Sequence, residues 1–244
     1  MIRSSLFRFI VMSVGALAAG SVLAQMPQMP MMSLGQNSAL IQLFGATKEF
    51  SSRVETVVKS PKDTATLPME MAILEGKMRM ELDMTKMKSR EVSAENSAMM
   101  KQMGMDRMII VTAPAEKAVR YIFPGLEAYT EMPIQGTGGQ DAAPKLEAKE
   151  LGKETVDGHP CVKNQVTIVE ASGQQQQFMV WNATDLKQFP VKIEMSDKGG
   201  QTVMSFKDVK LAAPDAKLFA APAGYSKHTD MQQMMMSAMQ KKFK

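Results

Sequence analysis

Residues 69–84 read MEMAILEGKMRMELDM, a pattern that a helix would scatter round its circumference and a β-hairpin sorts onto two faces. Met69, Met71 and Ile73, then Met78, Met80, Leu82 and Met84, recur with period two on either side of Glu75-Gly76, while Glu70, Lys77, Arg79, Glu81 and Asp83 take the alternate places. One face is oily and the other charged. A sheet with one oily face needs a cover, so the hairpin constrains the whole chain to a layered architecture.

The same alternation runs on. FSSRVETVV turns Phe50, Val54 and Val58 to one side, and short β-rich runs follow at 108–113, 118–123 and 127–132, parted by Pro or Gly turns. GTGGQDAAP at 136–144 has the composition of a linker. Beyond it come KLEAKELGKETV, a turn at Asp157-Gly158, CVKNQVTIV, QQFMVWN, PVKIEMS, a turn at Gly199-Gly200 and QTVMSFKDVKL. Three segments read as helices: 38–45, ended by Gly45; SAENSAMMKQMG, with Ser93 as cap and Gly104 as stop; and TDMQQMMMSAMQKK, started by Thr229 or Asp230. About ten strands and three helices in this order predict a mainly β (α+β) fold, a curved antiparallel sheet or unclosed β-barrel with helices covering the concave face.

Arg3 and Arg8 bracket a short apolar run that ends in small residues before Gln25, the pattern of a cleaved secretory signal over 1–24. No later stretch has the roughly 20 apolar residues of a membrane-spanning helix. The expected division is a signal peptide (1–24), a Met/Pro-rich lead-in with a short helix (25–46), the sheet domain (47–228) and a Met-rich amphipathic helix or tail (229–244), in a periplasmic protein. Loss of the signal lowers the formal net charge from +4 to about +2, which argues against nucleic acid as a partner. Cys161 stands alone, so no internal disulfide forms, and it is expected to be buried.

Two stretches carry a family likeness: RMIIVTAPAEKAVRYIFPGLEAYTEMPI, and the run from LGKETVDGHPCVKNQV through FMVWNATDLKQFPVKIEM to FKDVKLAAPDAKLFAAPAGYSK. Pro124-Gly125-Leu126 followed by Tyr129, the Asp157-Gly158-His159 turn, Trp181 ahead of Pro190 and the closing LFAAPAGY keep one order and spacing. Together they resemble the periplasmic lipoprotein-carrier (LolA-like) superfamily, in an uncharacterised domain-of-unknown-function branch, over roughly residues 45–228. The resemblance implies an unclosed barrel with helices as a lid and an acyl chain inside. The arginine placement of a lipoprotein carrier is absent, so no binding residue is carried across.

Chemistry therefore rests on the oily face. Met69, Met71, Ile73, Met78, Met80, Leu82, Met84, Met108, Ile110 and Trp181 are the expected lining of a hydrophobic cavity for a lipid or other apolar molecule, with an envelope protein as a further partner. Methionine is unbranched and polarizable and fits chains of different shape. Two other readings of 26 methionines stay open. Thioethers favour Cu(I) or Ag(I), and clusters stand at Met29-Met31-Met32, Met99-Met100-Met103-Met105 and Met234-Met235-Met236. Exposed methionines also absorb oxidants. Plain core packing accounts equally well for any single methionine. His159 and His228 lack a spaced carboxylate or nucleophile, and Gly136, Gly138 and Gly139 lack the Lys and helix of a phosphate loop, so neither enzyme activity nor a cofactor is expected.

Overall fold

The structure, a computed structural model, describes residues 38–45, 47–61, 63–90, 92–134, 145–169, 173, 175–197 and 200–242. The expected signal, most of the lead-in with Met29, Met31 and Met32, the 136–144 linker and Gly199 lie outside the described residues.

Helix α1 (Ser38–Gln42) precedes strands β1 (Glu49–Lys59), β2 (Thr64–Leu74) and β3 (Lys77–Asp83). Helix α2 (Ala94–Met103) leads to β4 (Arg107–Ala113), β5 (Ala118–Phe123) and β6 (Ala128–Pro133). Then come β7 (Lys145–Val156), β8 (His159–Val169), β9 (Gln175–Ala183), β10 (Phe189–Asp197), β11 (Gly200–Lys210), β12 (Ser226–His228) and helix α3 (Met231–Lys242). All twelve strands form one unclosed sheet, in the order β12-β6-β5-β4-β3-β2-β1-β11-β10-β9-β8-β7.

Local chemistry explains the turns. Glu75-Gly76 and Asp157-Gly158 both hold two consecutive positive φ values (49° and 78°, 50° and 87°), the twist that lets a two-residue connection match the flanking strands. Three other connections share a different device, a 3₁₀ turn followed by a left-handed residue: Pro114–Glu116 with Lys117, Pro124–Leu126 with Glu127, and Thr184–Leu186 with Lys187. Ser93 Oγ accepts from the Asn96 N–H and caps α2, and Gly104, at φ 75°, ends it. Only glycine fits there, because a Cβ would stand 2.5 Å from the carbonyl oxygen of Gly125. Helix α3 begins at Met231, with Asp230 Oδ1 accepting from the Gln233 N–H at 2.7 Å.

The sheet departs from the expected antiparallel one at its edge. β12, too short to show periodicity, pairs parallel with β6 through Ser226–Ala128, Lys227–Tyr129 and His228–Thr130. The helices also cover unevenly. Leu40, Leu43 and Phe44 of α1 and its following turn, and Met234 of α3, are buried in the main core, whereas α2 buries no residue completely. It rests on the turns at Met84–Lys86 and Pro124–Leu126. No described helix is long and apolar enough to cross a membrane.

Candidate hydrophobic ligand face

Register turns the hairpin pattern into a surface. Met69 lies opposite Leu82, Met71 opposite Met80 and Ile73 opposite Met78, and the rows continue into β4 as Leu82–Met108, Met80–Ile110 and Met78–Thr112. In the other direction Met69 faces Val54, which faces Phe206. Cross-strand partners share a face, so the nine aliphatic positions expected from sequence all lie on the inner side of the sheet. They are buried, from Leu82 and Ile110 at 0% exposure to Met108 at 7%, and all belong to the main core. Trp181 belongs to the same core cluster but does not share their rows.

On β9, Phe178 and Val180 follow the inner alternation through Ile193 and Met204. Trp181 takes the opposite face, paired with Lys163 and Lys192, whose Nζ atoms stand 4.8 and 4.2 Å from its ring centroid. Its indole N–H donates to Glu154, and that bond with the nearby lysines holds the exposed carboxyl below the ordinary carboxylate range. The tryptophan is 3% exposed and packs in the main core cluster.

The inner face is filled in two ways. Across β1, β10 and β11, Phe44, Phe50, Phe189 and Phe206 pack as an aromatic cluster with centroid separations of 4.7–5.7 Å. Across β2, β3 and β4 the filling is methionine and branched aliphatic. Two inward hydroxyls interrupt it: Thr56 Oγ1, in the row of Leu67 and Met204, and Thr130 Oγ1, opposite Tyr121, are buried with no hydrogen-bond partner among the described residues.

The outer face of β3–β6 is polar and paired. Arg79 and Arg107 both donate to Glu81, and Arg120 donates to Glu116 and Glu131, which also take Lys77 and Lys227. Burial alone would raise the Glu81 pKa, but the bonds from Arg79 and Arg107 leave it below its ordinary value. A small outer cluster of Ala72, Val111, Ile122 and Phe219 lies beside this ladder.

Sequence spacing missed one pair, because its partners stand 26 residues apart: His159 Nδ1 and Asp185 Oδ2 are 2.8 Å from each other. Among the described residues no nucleophile completes it. Cys161, two residues on, is buried and free; burial pushes its thiol up, away from the reactive thiolate, and Sγ donates to the His159 carbonyl at 3.3 Å. Among the described residues no three His, Cys, Asp or Glu side chains converge as a metal site. A cleft of about 450 Å³ lies at the rim, lined by Ser60, Asp63, Lys88, Ser89, Arg90 and their neighbours. It is polar, and none of the ten expected lining residues borders it.

The family model described as Domain of unknown function (DUF4412) matches residues 64–188 and 177–225. No curated protein matches the chain. Matching solved structures include a LolA superfamily protein, a mycobacterial lipoprotein and a MucA/MucB complex. A LolA superfamily protein from Nitrosomonas europaea is 12% identical over 77% of this chain and 96% of its own, with a TM-score of 0.39. The lipoprotein LppX of Mycobacterium tuberculosis is 11% identical over 76% and 98%, at 0.37. The MucA/MucB complex of Pseudomonas aeruginosa matches at 15% identity over 80% of this chain and 64% of the matched one, at 0.39. Likeness at this level names no ligand, which has to be argued from this chain's own side chains.

Proposed function

This chain belongs to the DUF4412 family, and on that premise we propose that it is a non-catalytic binding protein of the periplasm that carries a lipid or another apolar molecule on the inner face of its sheet. The observation that supports this most is the choice of side chain on β2–β4. Unbranched methionine repeats along rows where a fixed core would take branched or aromatic residues, as it does across β1, β10 and β11. Thioether side chains change rotamer at little cost, so the methionines make room for an acyl chain by rearranging. Each methylene moved from water into this face contributes about 0.8 kcal/mol, and ten contribute roughly 8 kcal/mol. Association costs of several kcal/mol then leave the binding reversible, as a carrier requires. The unpartnered hydroxyls of Thr56 and Thr130 suit a ligand with a polar group, such as an ester or hydroxyl. Residues 1–24 serve as the export signal, 47–228 as the binding body and the α3 segment as part of its cover.

Native mass spectrometry of the protein purified from cells tests this. Lipid-sized adducts that disappear on delipidation and return with a long-chain fatty acid or phospholipid are expected. Adduct-free protein that takes up neither would refute it.

A further inference from the structure

At one end of the inner face, two of its methionines, Met84 and Met108, meet others that come from outside the strands. Where β3 ends, Met84 opens a 3₁₀ turn whose last position leads to Met87, and the Met87 N–H donates to the Met84 carbonyl at 3.3 Å. Residues three apart in such a turn lie nearly eclipsed, so the pair stands on one side. Helix α2 packs on this turn and carries Met100 and Met103 one turn apart. The chain comes straight back to the same spot: the Met105 N–H donates to the Met100 carbonyl at 2.8 Å, and the Met84 N–H donates to the Asp106 carbonyl at 2.7 Å. Met108 lies opposite Leu82 and so is diagonal to Met84 on the inner face, within reach of a long side chain. Met84 and Met108 are buried in the main core, and Met87 and Met100 are half-buried against it.

We infer that this junction of β3, α2 and β4 is a binding site for a soft monovalent cation, Cu(I) or Ag(I), held by the thioethers of Met84, Met87, Met100 and Met108. Thioether sulfur is a soft, neutral donor that selects these ions over the hard cations preferred by carboxylates. A period-two row along one strand spaces its side chains by about 7 Å, too wide to share an ion. A tight turn, a helix and a returning strand bring methionine residues from three directions instead. Two buried and two half-buried ligands give the ion both a dry seat and a way in, which the fully buried Met71–Met80 pair lacks.

The test is titration with Ag(I) against free methionine as competitor, with stoichiometry by native mass spectrometry and a Cu(I) arm under reductant. One ion per chain is expected, bound more tightly than by free methionine. Leucine keeps nearly the volume of methionine without the sulfur, so M84L/M87L/M100L isolates the donor atoms. Its affinity is expected to fall by no less than about tenfold, since even residues that only support metal ligands cost that much. M71L/M80L is expected to bind as the parent does. If the triple variant does not fold, M87L/M100L at the half-buried positions replaces it, with the same loss expected. Parent binding no tighter than free methionine, or binding by the variant equal to the parent's, overturns the inference. Because the lipid test reads different masses, either proposal can fail without the other.

Discussion

The inner face of this sheet is built from two halves that solve the same problem differently. Around β1, β10 and β11, four phenylalanines lock together, with Phe50 and Phe189 at 4.8 Å and nearly perpendicular. Around β2, β3 and β4, methionines oppose methionine, isoleucine and leucine in register. Both halves are equally dry. They differ in stiffness: an aromatic cluster has few rotamers and a directional fit, whereas a methionine layer has many conformations of similar energy. The lesson is that burial alone does not separate a structural core from a binding face. On the function proposed here, the kind of side chain that fills it does.

That contrast can be broken most forcefully at the aromatic half. F189A is expected to lose about 3–5 kcal/mol of stability in urea unfolding, because rigid neighbours cannot close over the space. M80A is expected to cost less, near the lower end of the roughly 2–5 kcal/mol range for such truncations, since its neighbours are flexible. If the two losses were equal, the halves would not differ in plasticity. M80L sharpens the point: a cost under about 1.5 kcal/mol is expected, with a narrower range of acyl chain lengths bound than the parent binds.

The outer face of the methionine half gives the next effect. E81Q removes the carboxylate that Arg79 and Arg107 share and leaves the mostly buried Arg79 guanidinium poorly paired, for an expected loss of about 1–3 kcal/mol. Because Glu81 titrates below its ordinary value in the folded chain, its contribution is present above the unfolded carboxylate range and is lost as pH falls through the lowered folded value. Glu116 and Glu131 are lowered in the same sense, by Lys77 with Arg120 and by Lys227 with Arg120. Acid titration followed by circular dichroism should therefore show stability falling below about pH 4.5, and less steeply in E81Q. The smallest effect belongs to the cap of α2, where S93A is expected to cost about 1 kcal/mol and leave the sheet untouched.

Much of this was legible because a strand's alternation is local. The hairpin of residues 69–84 announces its inner face, and Asp157-Gly158 and Ser93 with Gly104 announce a turn and a helix. What was not legible depends on how strands meet. β12 has three residues, too few for a period, and its parallel pairing with β6 is set by where the chain returns. The Glu81–Arg107 and His159–Asp185 pairs each join residues 26 apart, a separation with no signature in sequence. Trp181 is different, because the signal was present. It alternates with Phe178 and Val180, which sets its ring beside Lys163 and Lys192 while it stays packed in the main core cluster. One practical consequence is that its fluorescence reports on Lys163, Lys192 and Glu154.

Methyl-labelled methionine, read by NMR while a long-chain fatty acid is added, tests the central claim most directly. The inner methyls of Met71, Met78 and Met80 are expected to shift together and saturate, while that of Met236, at 56% exposure on α3, stays unchanged. Inner methyls that hold their positions through a full titration, with changes confined to Met236 and other exposed residues, would mean that the methionine face is a closed core and carries nothing.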